Sequence, residues 1–308
     1  MADSVTRKTS SALAGEFTED TAGRAVAHAC RDAGLPSGRL KLIRLGSNAV
    51  FRLEGTIIAR VAPSVSLLTN ARRQIDVARW LDALNYPVTR AVNVRQPFVA
   101  EDRVVTFWES VNDETVYAPL ADVAELVRRL HQLDAPTGFE LPKPSPFGDG
   151  GDDLPSFPGL SEVDAQFLRQ RIEWARRTFD DLPFVLPQGV IHGDANVGNV
   201  ICRPDGEAVL IDLDSFAWGP REWDLIQTAM FFDRFGWHTE EEYRTFVEVY
   251  GFDLLTWSGY ETLANMREVA MTTWLAKKAH LADRSAREAA KRIEAIRSGG
   301  SRRDWDPY

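Results

Sequence analysis

Cysteine is nearly missing from this 308-residue chain: only Cys30 and Cys202 occur, far apart, at neither metal-site nor redox spacing. A disulfide framework is excluded, and both thiols read as small buried hydrophobes. Histidine is scarce as well, with five residues. His28, His131, His238 and His280 stand at no ligand spacing, so a metal hydrolase built on His192 and Asp194 lacks further histidines. There is no basic surplus, since 45 Asp and Glu outweigh 36 Lys and Arg for a net charge of −9, and no basic tract marks a nucleic-acid face. No apolar run is long enough to span a bilayer, and the first residues lack the apolar centre of a secretory leader. No membrane partner is expected, and the cytoplasm is the expected compartment. Nothing repeats at a solenoid period.

What the chain does have is 44% hydrophobic residues, enough for a large core, over a length that suits two lobes. Its most informative stretch is 189–214, GVIHGDANVGNVICRPDGEAVLIDLD. Residues 200–202 and 208–211 read as strands around the Pro204-Asp205-Gly206 turn. The hairpin carries Asn199 at its entry and Asp212 at its exit, beside Asp194. Asp194 can accept a proton from an incoming hydroxyl. Asn199 and Asp212 offer the hard oxygen ligands that Mg²⁺ takes when water and phosphate supply the rest. His192, two residues ahead of Asp194, belongs to this catalytic loop as its brace.

The Asp194-to-Asn199 spacing and the later Asp212 match the loop Asp, Asn and metal-binding Asp of protein kinases. His192-Gly193-Asp194 with Asn199, Ile211-Asp212-Leu213-Asp214, and Gly219-Pro220-Arg221-Glu222-Trp223-Asp224-Leu225 together resemble the aminoglycoside phosphotransferase family, small-molecule kinases of the protein-kinase-like fold. The resemblance implies a bilobal α+β fold, with a mainly antiparallel-sheet lobe over 1–110 that binds nucleotide and a mainly helical catalytic and substrate-binding lobe over 111–308. It implies ATP and Mg²⁺ as cofactors and a small-molecule hydroxyl as acceptor. It places a phosphate-covering turn at Gly46-Ser47-Asn48 and a phosphate-gripping cation at Arg60. The adenine-reading hinge falls at 107–111, with Trp108 in its wall. Asp224 becomes the anchor of the catalytic loop. Where a Glu should pair with Arg60 the chain offers Gln74, which can hydrogen-bond but supplies no counter-charge.

The remaining pattern fills this frame. Residues 1–15 read as disordered. A helix over 18–34 with Ala22, Val26, Ala29 and Ala33 on one face ends at Gly34. Strands are predicted over 40–45, 49–53 and 56–61, a helix over 70–85, and two strands over 91–95 and 104–108 around a turn at Glu101-Asp102. Helices follow over 121–133, 161–181, 223–235, 239–250, 260–281 and 284–297, with a Thr239/Glu242 capping box and Gly251 as a stop. Trp305 and Tyr308 are expected to dock back. Residues 141–158, with five prolines and three glycines, read as a long loop or lid.

Charge is uneven. Residues 1–110 hold 15 Lys and Arg against 11 Asp and Glu, leaving +4, while 111–308 hold 21 against 34, leaving −13. With Asp149, Asp152 and Asp153 in the long loop, this balance favours an amine-bearing acceptor such as an amino sugar or aminoglycoside. Trp223, Trp257 and Trp305 could offer flat faces to a sugar ring or simply pack. A metabolic kinase for a neutral sugar or amino alcohol stays open. So does a nucleotide-binding pseudokinase, which Gln74 would fit although Asp194, Asn199 and Asp212 all stand.

Overall fold

The computed structural model describes residues 17–148 and 154–307. The chain divides into two compact units, Met1–Asp113 and Glu114–Tyr308.

In the first unit, helix α1 (Glu19–Ala33) starts at a reciprocal cap, in which Thr18 and Thr21 each bond the other's backbone N–H, and stops at Gly34 in the left-handed conformation (φ 67°). Its buried stripe of Ala22, Val26, Ala29 and Cys30 covers one face of a five-stranded antiparallel sheet. The sheet order is β1 (Lys41–Leu45), β2 (Ala49–Arg52), β3 (Ile57–Ala62), β5 (Arg103–Glu109), β4 (Phe98–Ala100). Register decides which residues meet that helix. Ala49 pairs with Val61 and Val61 with Val105, and Phe51 pairs with Ala59 and Ala59 with Phe107; all six are in the core beneath α1. The alternate row, Val50–Arg60–Thr106, faces the other way. Helix α2 (Leu68–Ala83) follows β3, with Gln74, Ile75, Ala78 and Leu81 buried.

One predicted strand is absent. Over 91–95 the chain makes a single bridge, Ala91 with Trp108, and the strand pairing with β5 lies further on, at Phe98–Ala100. A side chain takes over the work of a ladder here: Gln96 Oε1 accepts from Phe107 N at 2.7 Å, and Gln96 Nε2 donates to Val92 O and Phe107 O. The predicted turn holds, with Glu101 and Asp102 both at positive φ (51° and 57°), as a two-residue hairpin turn requires.

The second unit contains helices α3 (Leu120–Leu130), α4 (Glu162–Thr178), α5 (Glu222–Asp233), α6 (Glu240–Tyr250), α7 (Tyr260–Ala276) and α8 (Asp283–Ser298). Two small antiparallel pairs join β6 (Gln188–Ile191) to β9 (Ala217–Pro220), and β7 (Val200–Cys202) to β8 (Ala208–Leu210). The β7–β8 hairpin is the predicted one; β6–β9 was not foreseen. Helix α5 is buried all round from Glu222 to Phe231, the mark of a central helix. The Thr239/Glu242 capping box and the left-handed Gly251 bound α6 as expected. Trp305 docks, 2% exposed, stacked on Phe235 at 5.2 Å beneath Arg292. Among the described residues no helix is long and apolar enough to cross a membrane. Residues 1–15, Tyr308 and the Asp149, Asp152 and Asp153 part of the long loop lie outside the described residues.

Candidate active site

Strand β6 delivers the chain into His192-Gly193-Asp194, and the local backbone is over-determined. Gly193 sits at φ +82°, where a Cβ would lie 2.3 Å from Ser215 O, so only glycine fits. Two consecutive N–H groups, of His192 and Gly193, donate to the two oxygens of Asp224 at 2.7 Å each. Asp224 comes from the first turn of α5, and its side chain is fully buried. His131 Nε2 donates a third bond at 3.0 Å, and its Nδ1 meets Tyr250 Oη at 2.7 Å. Burial alone would raise the Asp224 carboxyl, but the His131 bond and the His131 and His192 rings more than offset it, and it lies below its ordinary range. The anchoring of the loop by Asp224 is thus visible as two bonds, with a third from His131 holding the anchor; His131 was passed over because its role depends on distant elements.

His192 is buried inside the loop and hydrogen-bonded on both ring nitrogens. It is 0% exposed, its Nε2 bonds Ile211 O at 2.9 Å, and its Nδ1 accepts from Asp194 N at 3.3 Å. Those bonds tie the loop to the residue just before Asp212. Ile211 N also donates to Asn199 O at 2.9 Å, so Asn199 and Asp212 flank one hydrogen bond. Asp212 occupies the left-handed region (φ 62°, ψ 71°), a strained conformation for an aspartate that re-aims its side chain at the hairpin exit.

Asp194 is held at both carboxylate oxygens. Asn199 Nδ2 donates to Oδ2 at 3.0 Å and to Asp194 O at 2.8 Å, and Arg267 Nη2 pairs with Oδ1. The Asp194 side chain nonetheless remains 40% exposed, open to a partner. Because the Asn199 amide nitrogen is committed twice to Asp194, its Oδ1 is the atom left to face a metal. Asn199 Oδ1 and the Asp212 carboxylate are hard oxygens that could hold Mg²⁺, an ion that keeps waters and phosphate oxygens in most of its positions. Among the described residues no group of three or more His, Cys, Asp and Glu forms a cage for a metal.

Arg267, on α7, was missed in the sequence. A signal existed: it lies on a helix whose Leu263, Ala264, Met266 and Val269 are buried, and a lone arginine among apolar positions calls for a partner.

In the first unit, Arg60 projects from β3 on the face away from α1, and its Nη1 donates to Gln74 Oε1 at 3.4 Å. Gln74 in turn donates to Asn70 Oδ1. The expected contact is present, as a long hydrogen bond from the guanidinium to a neutral amide. Gly46 and Ser47 are exposed at the β1–β2 turn, closed by Gly46 N to Asn48 O at 3.0 Å. Trp108 is 3% exposed and its indole N–H is satisfied by Thr106 Oγ1 at 2.8 Å. Its side chain is a packing element. The three tryptophans considered for sugar stacking are buried too. Trp223 lies beneath Arg267, Trp257 stacks on Phe184 and bonds Pro183 O, and Trp305 is docked as described.

Residues 40–268 match the phosphotransferase enzyme family. Among solved structures, similarity extends to the amicoumacin kinase hAmiN in complex with AMP-PNP, Ca²⁺ and Ami (12% identity, 94% of this chain and 98% of that one, TM-score 0.67). It also extends to the aminoglycoside phosphotransferase APH(3'')-Id from Streptomyces rimosus (18%, 82% and 99%, 0.59), and to the choline kinase LicA from Streptococcus pneumoniae (15%, 88% and 98%, 0.54). At these identities the likeness is one of fold, and it shows the protein-kinase-like α+β fold. No curated protein sequence matches the chain.

Proposed function

The chain belongs to the phosphotransferase enzyme family, and from that premise we propose that it transfers the γ-phosphoryl group of ATP to a hydroxyl of a small amine-bearing molecule. The observation that carries the reading is Asp194: a carboxylate fixed at both oxygens yet 40% exposed, on a loop pinned by a buried anchor. In this reading Asp194 orients the acceptor hydroxyl and takes its proton as the new O–P bond forms and the β,γ-bridging oxygen leaves with ADP. Catalysis of this kind is mostly positioning and charge stabilisation. Asn199 and Asp212 would hold Mg²⁺, which neutralises charge on the transferred group. Arg60 would grip phosphate oxygens under the N–H groups of the Gly46-Asn48 turn. An ATP-dependent reaction of this kind belongs in the cytoplasm.

The amine in the acceptor is supported by the −13 balance of residues 111–308 and by the acceptors named for the structurally similar aminoglycoside and choline kinases. Negative potential raises the encounter rate of a cationic substrate, and salt screens that attraction. The test is ADP release with kanamycin, choline, glucosamine and glucose over a range of NaCl concentrations. The expected outcome is a kcat/KM for the best amine that exceeds that of its neutral analogue and falls as ionic strength rises. Glucose outperforming glucosamine at every salt concentration would reassign the chain as a neutral-sugar kinase.

A further inference from the structure

We infer that Arg267 is a positioning residue for phosphoryl transfer, acting through Asp194. The inference rests on the proposed role of Asp194 and adds what holds that residue. The guanidinium is clamped from two sides. Its Nη2 pairs with Asp194 Oδ1, and its plane lies over the Trp223 ring, 4.9 Å from the centroid. Trp223 itself is fixed to the same loop, its Nε1 donating to Gly193 O at 2.9 Å. Phe147 and Phe179 pack edge-on against the Trp223 ring.

The Arg267 side chain is only 9% exposed, and its Nε is buried without a hydrogen-bond partner. A guanidinium so placed has Asp194 as its ion-pair partner and an aromatic face as its second contact. Asn199 comes from five residues beyond Asp194, and Arg267 from α7, 73 residues from Asp194. Between them, the two donors occupy one lone pair on each carboxylate oxygen. Both carboxylate oxygens are thereby fixed, while the side chain stays 40% exposed. For a reaction run by placement, that constraint matters most, since a displacement of about 1 Å at a reacting group costs on the order of a hundredfold in rate. The cation acts by aiming the Asp194 carboxylate.

The experiment compares Arg267→Met, Arg267→Gln and Arg267→Lys with wild type and with Asp194→Asn. ADP release is measured with ATP, Mg²⁺ and whichever of kanamycin, choline, glucosamine and glucose turns over fastest. Urea unfolding identifies the folded variants, and Arg267→Gln serves if Arg267→Met does not fold. The expected result is a ten- to hundredfold fall in kcat for the charge-free variants. KM for ATP stays within twofold, and Arg267→Lys recovers most of the loss. Arg267→Met placed on Asp194→Asn is expected to change the residual rate by less than twofold, because a residue acting through Asp194 has nothing further to lose. Wild-type kcat in either folded charge-free variant, or a lysine variant no faster than methionine, overturns the inference while leaving the proposed function standing. Wild-type turnover by Asp194→Asn overturns the proposed function itself.

Discussion

Replacing Asp224 by Asn tests how much of the loop's geometry depends on one buried side chain. The carboxylate accepts three bonds, from His192 N and Gly193 N at 2.7 Å and from His131 Nε2 at 3.0 Å, with 0% exposure. An amide keeps one oxygen and turns an NH₂ toward a donor, so at least one buried N–H is left unpaired. Each such loss costs about 1–3 kcal/mol, toward the upper end where the acceptor was charged. A stability loss of about 2–4 kcal/mol follows for Asp224→Asn, and more for Asp224→Ala, against a total that is commonly about 5–15 kcal/mol. Urea unfolding followed by tryptophan fluorescence measures it, with Trp223 as a reporter beside the loop. The same carboxylate gives a pH signature. Its folded pKa is lowered, so its contribution is present above the unfolded value of about 3.9 and is lost as pH falls through the folded value. Wild type should therefore lose stability on acidification below about pH 4, and Asp224→Asn should show a flatter acid limb. Turnover should fall with the stability loss, because the displaced N–H groups belong to the residues carrying Asp194. A variant with an unchanged midpoint and full turnover would refute the reasoning.

Two further outcomes follow from the geometry. Arg60→Ala should weaken ATP binding in calorimetric titration by about tenfold or more. Gln74→Ala should cost less, because its amide forms no ion pair with Arg60 and its hydrogen bond is 3.4 Å long; equal affinities for wild type and Arg60→Ala would make this arginine a surface residue. Burial lowers the pKa of His238, whose Nε2 is buried without a partner. Its contribution to stability is therefore present above about pH 6.5 and is lost as pH falls toward the folded value. The urea midpoint should drop between pH 7.5 and 5.5 in wild type and drop less in His238→Phe, and identical slopes would dismiss this histidine as a source.

The parts of this protein that could be read in its sequence are those whose causes are local. Thr18 with Gly34, and Thr239 with Glu242 and Gly251, bound their helices through bonds closed within a few residues. The Pro204-Asp205-Gly206 turn likewise closes the hairpin that carries Asn199 and Asp212. The contact between Asp194 and Asn199 was legible for the same reason, being closed within one loop. What could not be read are features whose partners lie far along the chain. The β6–β9 pair joins 188–191 to a Gly-Pro segment at 217–220, and composition alone argues against a strand there. The missing strand at 91–95 was misread because one side chain, Gln96, supplies what a backbone ladder would.

Helix α5 shows why the site's supports are harder to see than the site. A helix buried all round has no amphipathic stripe to betray which residues face what, yet its first turn contributes both Trp223, under Arg267, and Asp224, under the loop. Asp194 therefore owes its placement to α5, whose Asp224 was read as an anchor, and to α7, whose Arg267 was not. Substituting apolar positions around Trp223 should then alter turnover before it unfolds the protein. A cavity beside that ring loosens the surface on which the Arg267 guanidinium rests, and the displacement passes to the Asp194 carboxylate.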